Sequence, residues 1–391
     1  MSNSFTKTTS VSWLERIKQS VIGALIGLLL VVGAVVLLFW NEGRAVTTAR
    51  SLTEGASAVV AISNEAVDVA NDGKLVHVSG PVTTDETLID EDFGLEATGI
   101  RLVRQVEMYQ WREKTSEETK KKLGGGEETV TTYSYSTDWS DRAIDSSRFE
   151  QPDGHGNPSM EMNSDRIQVS EAQLGAFSLD ERVLDEVGNE QAVKLSPAQK
   201  AAVEAAYSGS EKLSFTESGI YLGDNPKKPT VGDYRIGYRL VPLGDISVVA
   251  RQYGNGFTGY QTRAGDELLL VESGNVPADE MFSNAARENN LLSWILRVVG
   301  LVLLAVGFAM VMEPLGVIAD VIPFLGDLTR LGTGLAAFLL AVIVGTVTIA
   351  VAWFYYRPVV ALCVLVVGIA LAVAVARFFK ARRQVAPAAA A

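Results

Sequence analysis

Long uncharged apolar runs near the two ends of this 391-residue chain flank a polar, strand-like middle. Residues 21–40, VIGALIGLLLVVGAVVLLFW, carry no charge. As a helix they rise about 30 Å, the thickness of a bilayer's hydrocarbon core. A cleaved leader has a shorter apolar run, about 7–15 residues, closed by a small-x-small site. This run instead continues into Trp40-Asn41-Glu42-Gly43-Arg44 and reads as an uncleaved span. Three more apolar segments follow: 291–312, interrupted only by Arg297; 331–356, without a charge; and 358–376, also without a charge. The pattern predicts a multi-pass α-helical membrane protein with four spans, grouped one plus three, around a large extramembrane domain at 41–290.

That middle region alternates as half-buried strands do. Strand patterns occupy 74–80, 100–112, 129–139, 235–241, 246–251 and 267–271. The stretch TSEETKKKLGGG lies between the second and third of these. It predicts a long hairpin with a solvated tip. Ser196-Pro197 opens a helix, with serine as N-cap and proline at the first helical position. The expectation is an α+β, mostly antiparallel, β-rich domain.

Charge sharpens the division. The formal net charge is −12, yet 41–290 alone carries −18 while the remainder carries +6. Lys7, Arg16 and Lys18 lie in the tail 1–20, and Arg377, Lys380, Arg382 and Arg383 in the tail 377–391. Basic tails favour the cytoplasm. An even number of spans puts both tails there, with 41–290 outside and 313–330 as a cytoplasmic loop. Trp40, Trp294, Trp353, Tyr355 and Tyr356 then fall at the outer interface, where such rings concentrate. Small residues recur at helical spacing as Gly23-xxx-Gly27, Ala305-xxx-Ala309 and Gly368-xxx-Ala372-xxx-Ala376. They predict close packing, within one bundle or between protomers.

Several chemistries are excluded. Cys363 is the single cysteine, so no internal disulfide or thiolate metal site can form. An acidic chain without a basic stripe argues against nucleic acid. Only His77 and His155 are available as histidines, one in a strand pattern and one in a turn, where packing roles are expected. No Gly-x-Ser-x-Gly, His-Glu-x-x-His or Gly-Lys-Ser/Thr motif occurs. No catalytic residue, cofactor or metal ligand is expected.

The residues with membrane-boundary chemistry are Asn41, Glu42, Gly43 and Arg44 after the first span, and Tyr356, Arg357 and Pro358 between the last two. A headgroup-level pair of Glu42 with Arg357 is one arrangement; independent boundary markers are another. Arg297 lies about 9 Å inside the second span, within snorkelling distance of outer headgroups. In 313–330, Leu315, Ile318 and Ile322 share a helical face, and Asp320 and Asp327 another. This reads as an amphipathic interfacial segment interrupted at Pro323, or as a re-entrant, ion-guiding one.

A resemblance runs along nearly the whole chain. It begins at Asn41-Glu42-Gly43-Arg44-Ala45 and continues through Ser51-Leu52-x-Glu54-Gly55, Leu75-Val76-His77, Val106-Glu107-Met108-Tyr109-Gln110-Trp111 and Tyr133-Ser134-Tyr135. Gly154-His155-x-Asn157-Pro158, Asn225-Pro226, Val231-Gly232-Asp233, Ala250-Arg251-Gln252 and Tyr356-Arg357-Pro358 complete it. In these pieces the sequence resembles the transmembrane protein 43 family, also called LUMA. The resemblance implies four spans and a large lumenal domain. It also implies a role in organising membrane protein complexes at the endoplasmic reticulum and inner nuclear membrane of animals, with no catalytic residues to carry over. The alanine-rich end and the lack of Asn-x-Ser/Thr sequons fit a bacterial member, in whose inner membrane the domain would be periplasmic.

The functional expectation is a non-enzymatic membrane scaffold. Its partners would be membrane lipids and other membrane proteins, with homo-oligomers possible. A channel or transporter subunit using Arg297 and Asp320 is the second reading, and an envelope hydrolase around His155 the third.

Overall fold

The computed structural model describes residues 4–209 and 211–384; the ends 1–3 and 385–391 of the two expected tails lie outside the described residues. The helices are α1 (Trp13–Ala58), α2 (Glu181–Glu186), α3 (Pro197–Ala206), α4 (Ala278–Ala319), α5 (Pro323–Tyr356) and α6 (Pro358–Gln384). The chain forms two compact units. One comprises Met1–Ser10, Ser51–Lys120 and Glu128–Ala285; the other comprises Val11–Arg50, Lys121–Glu127 and Ala286–Ala391.

The first unit is β-rich, as the alternation predicts. Its larger sheet has eight strands, with Arg101–Lys121 between Glu127–Ser140 and Tyr234–Val241. Tyr234–Val241 runs antiparallel to Arg101–Lys121, in register from Tyr234 opposite Met108 to Val241 opposite Arg101. A seven-stranded sheet is centred on Leu75–Thr83 and Asp245–Tyr253, also antiparallel. Side chains two residues apart share a face. Leu102, Val106 and Met108 therefore enter one core with Ile236, Val76, Val78, Val248 and Ala250. Removing these side chains from water stabilises the fold by about 1.5–3 kcal/mol for each large one.

Asp90, buried in this core, is paired, as burial demands. Arg104 Nη1 donates to Asp90 (2.6 Å), and the Tyr238 hydroxyl donates to the other oxygen of Asp90 (2.8 Å). Burial, with the Asp90 charge behind it, pushes the Tyr238 phenol above its ordinary range. Ser196 caps α3 in a reciprocal box with Gln199, as its position predicts. Both histidines are built into packing. His77 Nε2 lies 2.9 Å from the Val276 carbonyl. His155 is buried, stacked on Tyr135 with ring centroids 4.0 Å apart, and its Nδ1 is 3.0 Å from the Gln151 carbonyl.

The second unit is helical. Trp13–Ala58, Ala278–Ala319 and Phe324–Tyr356 are each long and apolar enough to cross a membrane. The fourth expected span falls on α6, of which Pro358–Ala370 is an apolar helix among the described residues. Segment 313–330, expected as a loop, consists of two helix ends joined by a short turn at 320–322. Proline at the first position of α5 explains the restart, since its missing N–H and fixed φ suit a helix N-terminus.

Ala34, Leu38, Leu304 and Ala341 form a small apolar core among α1, α4 and α5. At one contact of α1 with α4, glycine lies on glycine. A Cβ added at Gly27 would stand 2.7 Å from the Gly307 carbonyl oxygen and 2.7 Å from Met310 Cβ. Of the small-residue pairs read from the sequence, Gly27 is thus engaged, while Gly23 and Gly368 would meet nothing within 4 Å. Gly27→Leu is expected to force α1 off α4, costing about 1–3 kcal/mol, read as a lower unfolding temperature in detergent.

Candidate functional site

Two buried ionic clusters cap the α1–α4–α5 bundle. At the usual helical rise, 16–42 of α1 spans about 39 Å, and 297–320 and 330–353 span about 35 Å each. The hydrocarbon core is about 30 Å thick, so each cluster sits near one of its edges.

The first cluster centres on Glu42, whose side chain is fully buried. Arg297 grips it with two bonds, Nε to Oε1 at 2.6 Å and Nη2 to Oε2 at 2.9 Å. Trp353 Nε1 donates to Oε2 at 2.9 Å. One carboxylate thus ties α1 to α4 and α5. The Arg297 guanidinium also lies over the Trp294 ring, 4.9 Å from its centroid. Below this pair, Asn41 Nδ2 donates to the Ser293 carbonyl at 3.1 Å, and Arg44 donates to Asn289 Oδ1 and Ser293 Oγ, both at 3.0 Å. Asn289 returns a bond to the Ala45 carbonyl at 3.0 Å. The Tyr356 ring lies against Gly43, where a Cβ would stand 2.6 Å from Tyr356 Cζ.

These contacts correct two expectations. Glu42 pairs with Arg297, not with Arg357, and Arg297 turns inward to that carboxylate rather than snorkelling to headgroups. A buried acceptor inside the bundle outcompetes a longer reach to the interface. Arg357 instead ends α5, its backbone N–H bonded to the Trp353 carbonyl at 2.7 Å, directly before Pro358 opens α6.

The second cluster centres on Asp320, also fully buried. Its Oδ2 accepts from Arg16 Nη2 and Arg330 Nη2, both at 2.6 Å, and its Oδ1 accepts from Arg330 Nη1 at 2.8 Å. Lys121 Nζ lies 3.3 Å from Oδ1 and also pairs with Asp327. Arg16 reaches Glu127 at 2.7 Å and donates to the Gly125 carbonyl; Arg330 pairs with Glu313 at 3.1 Å. Gly326 lies so close that a Cβ would stand 1.8 Å from Asp320 Oδ1. Burial pushes the Asp320 carboxyl up, but hydrogen bonds from Arg330 and Arg16, the Arg330 charge and Lys121 outweigh it and hold it down to about 2.

The hairpin read from the sequence is formed, Arg101–Lys121 beside Glu127–Ser140, but its tip 121–127 is tied to this cluster rather than free in solvent. Gly124 N–H donates to the Val321 carbonyl at 3.2 Å. Gly125, at φ +82°, lies where a Cβ would stand 2.3 Å from Trp13 Cδ1. Trp13 itself donates to the Val317 carbonyl at 2.9 Å. The sequence reading places 41–290 and 313–330 on opposite sides of the membrane, whereas 121–127 lies in direct contact with Asp320 and Val321.

Arg16, Lys121, Glu127, Arg330, Asn289, Ser293 and Trp353 were not anticipated as partners of the candidate residues. Among the described residues, no group of His, Cys, Asp or Glu is placed to hold a metal ion. Both clusters pair opposite charges and fix helix register, and the carboxylate at the heart of each is fully enclosed.

Comparison with known proteins agrees with this architecture. A family model described as Transmembrane protein 43 matches residues 108–358. Transmembrane protein 43 of Homo sapiens is 34% identical over 378 residues, covering 93% of this chain and 92% of that protein. The Mus musculus protein is 33% identical over 358 residues, covering 88% and 87%. The Transmembrane protein 43 homolog of Drosophila melanogaster is 31% identical over 360 residues, covering 88% and 92%. No solved structure gives a significant match. With its apolar helices, its β-rich unit and this near-full-length similarity, the chain belongs to the transmembrane protein 43 family.

Proposed function

We propose that this multi-pass membrane protein is a non-enzymatic scaffold that organises membrane protein complexes or lipids. The observation that carries the reading is the engagement of Arg297 and Asp320, the two ionisable residues that an ion path would use. Arg297 is held by Glu42, and Asp320 by Arg16, Arg330 and Lys121. Charges that line a conduction path face water or a mobile ion; these face each other and stiffen a bundle. The hydrolase reading is disfavoured because His155 Nδ1 meets a backbone carbonyl rather than a carboxylate that could orient it as a base. The site of action is the inner membrane of a bacterium, or the endoplasmic reticulum or inner nuclear membrane of a eukaryote. The partners are lipids and other membrane proteins, a second copy of the chain included.

Reconstitution in liposomes tests this. The scaffold reading expects ion flux no higher than in protein-free vesicles, and specific membrane proteins recovered after crosslinking in native membranes. Flux that changes when Arg297 or Asp320 is neutralised overturns it in favour of a channel.

A further inference from the structure

We infer that the 121–127 tip is a lipid-contacting foot, with Leu123 entering the bilayer interface beside the α4–α5 turn. Leu123 is 88% exposed although the segment around it is held. Gly124 is bonded to Val321, Gly125 packs on Trp13, and Lys121 pairs with Asp320. Leu123 is therefore presented outward by a fixed backbone. Within the same unit, Leu14 and Phe324 are each 74% exposed, and Ile322 is more than half exposed. Along the two helices that meet at this turn the exposed apolar positions continue, through Ile318, Leu315 and Val311 of α4 and Leu328 and Leu331 of α5.

Continuity with the span surface identifies the occupant as lipid. The Asp320 cluster lies at the edge of the hydrocarbon slab by helical rise, so a residue next to it stands at the depth where acyl chains meet headgroups. A polar tip of a soluble hairpin has no use for an outward leucine; a tip seated at an interface does.

The test uses full-length protein carrying Cys363→Ser and Leu123→Cys, labelled with an environment-sensitive fluorophore. It is placed singly in phosphatidylcholine nanodiscs, with or without lipids brominated near the top of the acyl chain. Phe324→Cys serves as a positive control in the same background. Leu123→Cys is an exposed substitution, so the fold should be retained, and the wild-type elution profile confirms it. Lipid contact predicts blue-shifted emission, quenching by brominated lipid close to that at Phe324→Cys, and weak quenching by iodide. Water-like emission with strong iodide quenching overturns the inference, as does protection from both quenchers, which signifies cover by protein. A flux or partner experiment that removes the scaffold reading leaves this result untouched.

Discussion

Glu42→Ala is expected to destabilise the protein in detergent by about 3–5 kcal/mol, the usual cost of leaving a buried charge without its partner. The variant strands Arg297, whose side chain is only 15% exposed, and removes the acceptor of Trp353 Nε1. Changing both members at once, as Glu42→Met with Arg297→Met, is expected to recover most of the loss, because it removes the uncompensated charge and restores apolar packing. Thermal unfolding of the single and double variants reads the effect. A single variant that loses no more than an exposed surface pair does, about 0–1 kcal/mol, would show that the pair does not hold the helices.

Asp320→Ala is expected to cost a similar amount, for the same reason. It leaves Arg16, Arg330 and Lys121 crowded around an empty position. The loss should localise, appearing as faster hydrogen exchange and proteolysis at 121–127, which Asp320 anchors through Lys121 and Arg16. The sign of the pH dependence follows from the carboxyl being held at about 2, below its ordinary value of about 3.9 in an unfolded chain. A depressed carboxyl stabilises the folded state fully above the unfolded value and loses that contribution as pH falls through the folded one. The stability gap between wild type and Asp320→Asn should therefore be flat from about pH 5 to 8, worth about 2–3 kcal/mol, and should close below about pH 4. A gap that closes as pH rises contradicts the assignment.

The spans were legible because twenty consecutive uncharged residues, 21–40, have few other fates. The β-rich unit was legible for a similarly local reason: alternation at 100–112 puts Leu102, Val106 and Met108 on one face whatever lies opposite. The partners were not. Glu42 and Arg297 are 255 positions apart, and only the rotation of α1 against α4 decides that they meet. Depth in the membrane was visible in the sequence, which made Arg357 an equally good partner; helix phase was not.

The tip misled through composition. Lysines and glycines read as a solvated turn, yet those glycines allow the backbone to lie against Trp13 and Val321, and Lys121 and Glu127 complement Asp320 and Arg16. Such complementarity is a property of two segments together and leaves no mark on either alone. Capping is the opposite case. Ser196, Pro197 and Gln199 are contiguous enough for α3 to be predicted from the sequence and found with its box complete.

The most direct test of the account is sidedness within the helical unit. In a Cys363→Ser background, Lys122→Cys, Asp327→Cys and Tyr355→Cys are exposed to a membrane-impermeant maleimide in sealed vesicles of known orientation. Clusters that cap opposite ends of α5 predict that positions 122 and 327 react from one side and position 355 from the other. Labelling of position 122 from the same side as 355, and not from that of 327, would contradict it.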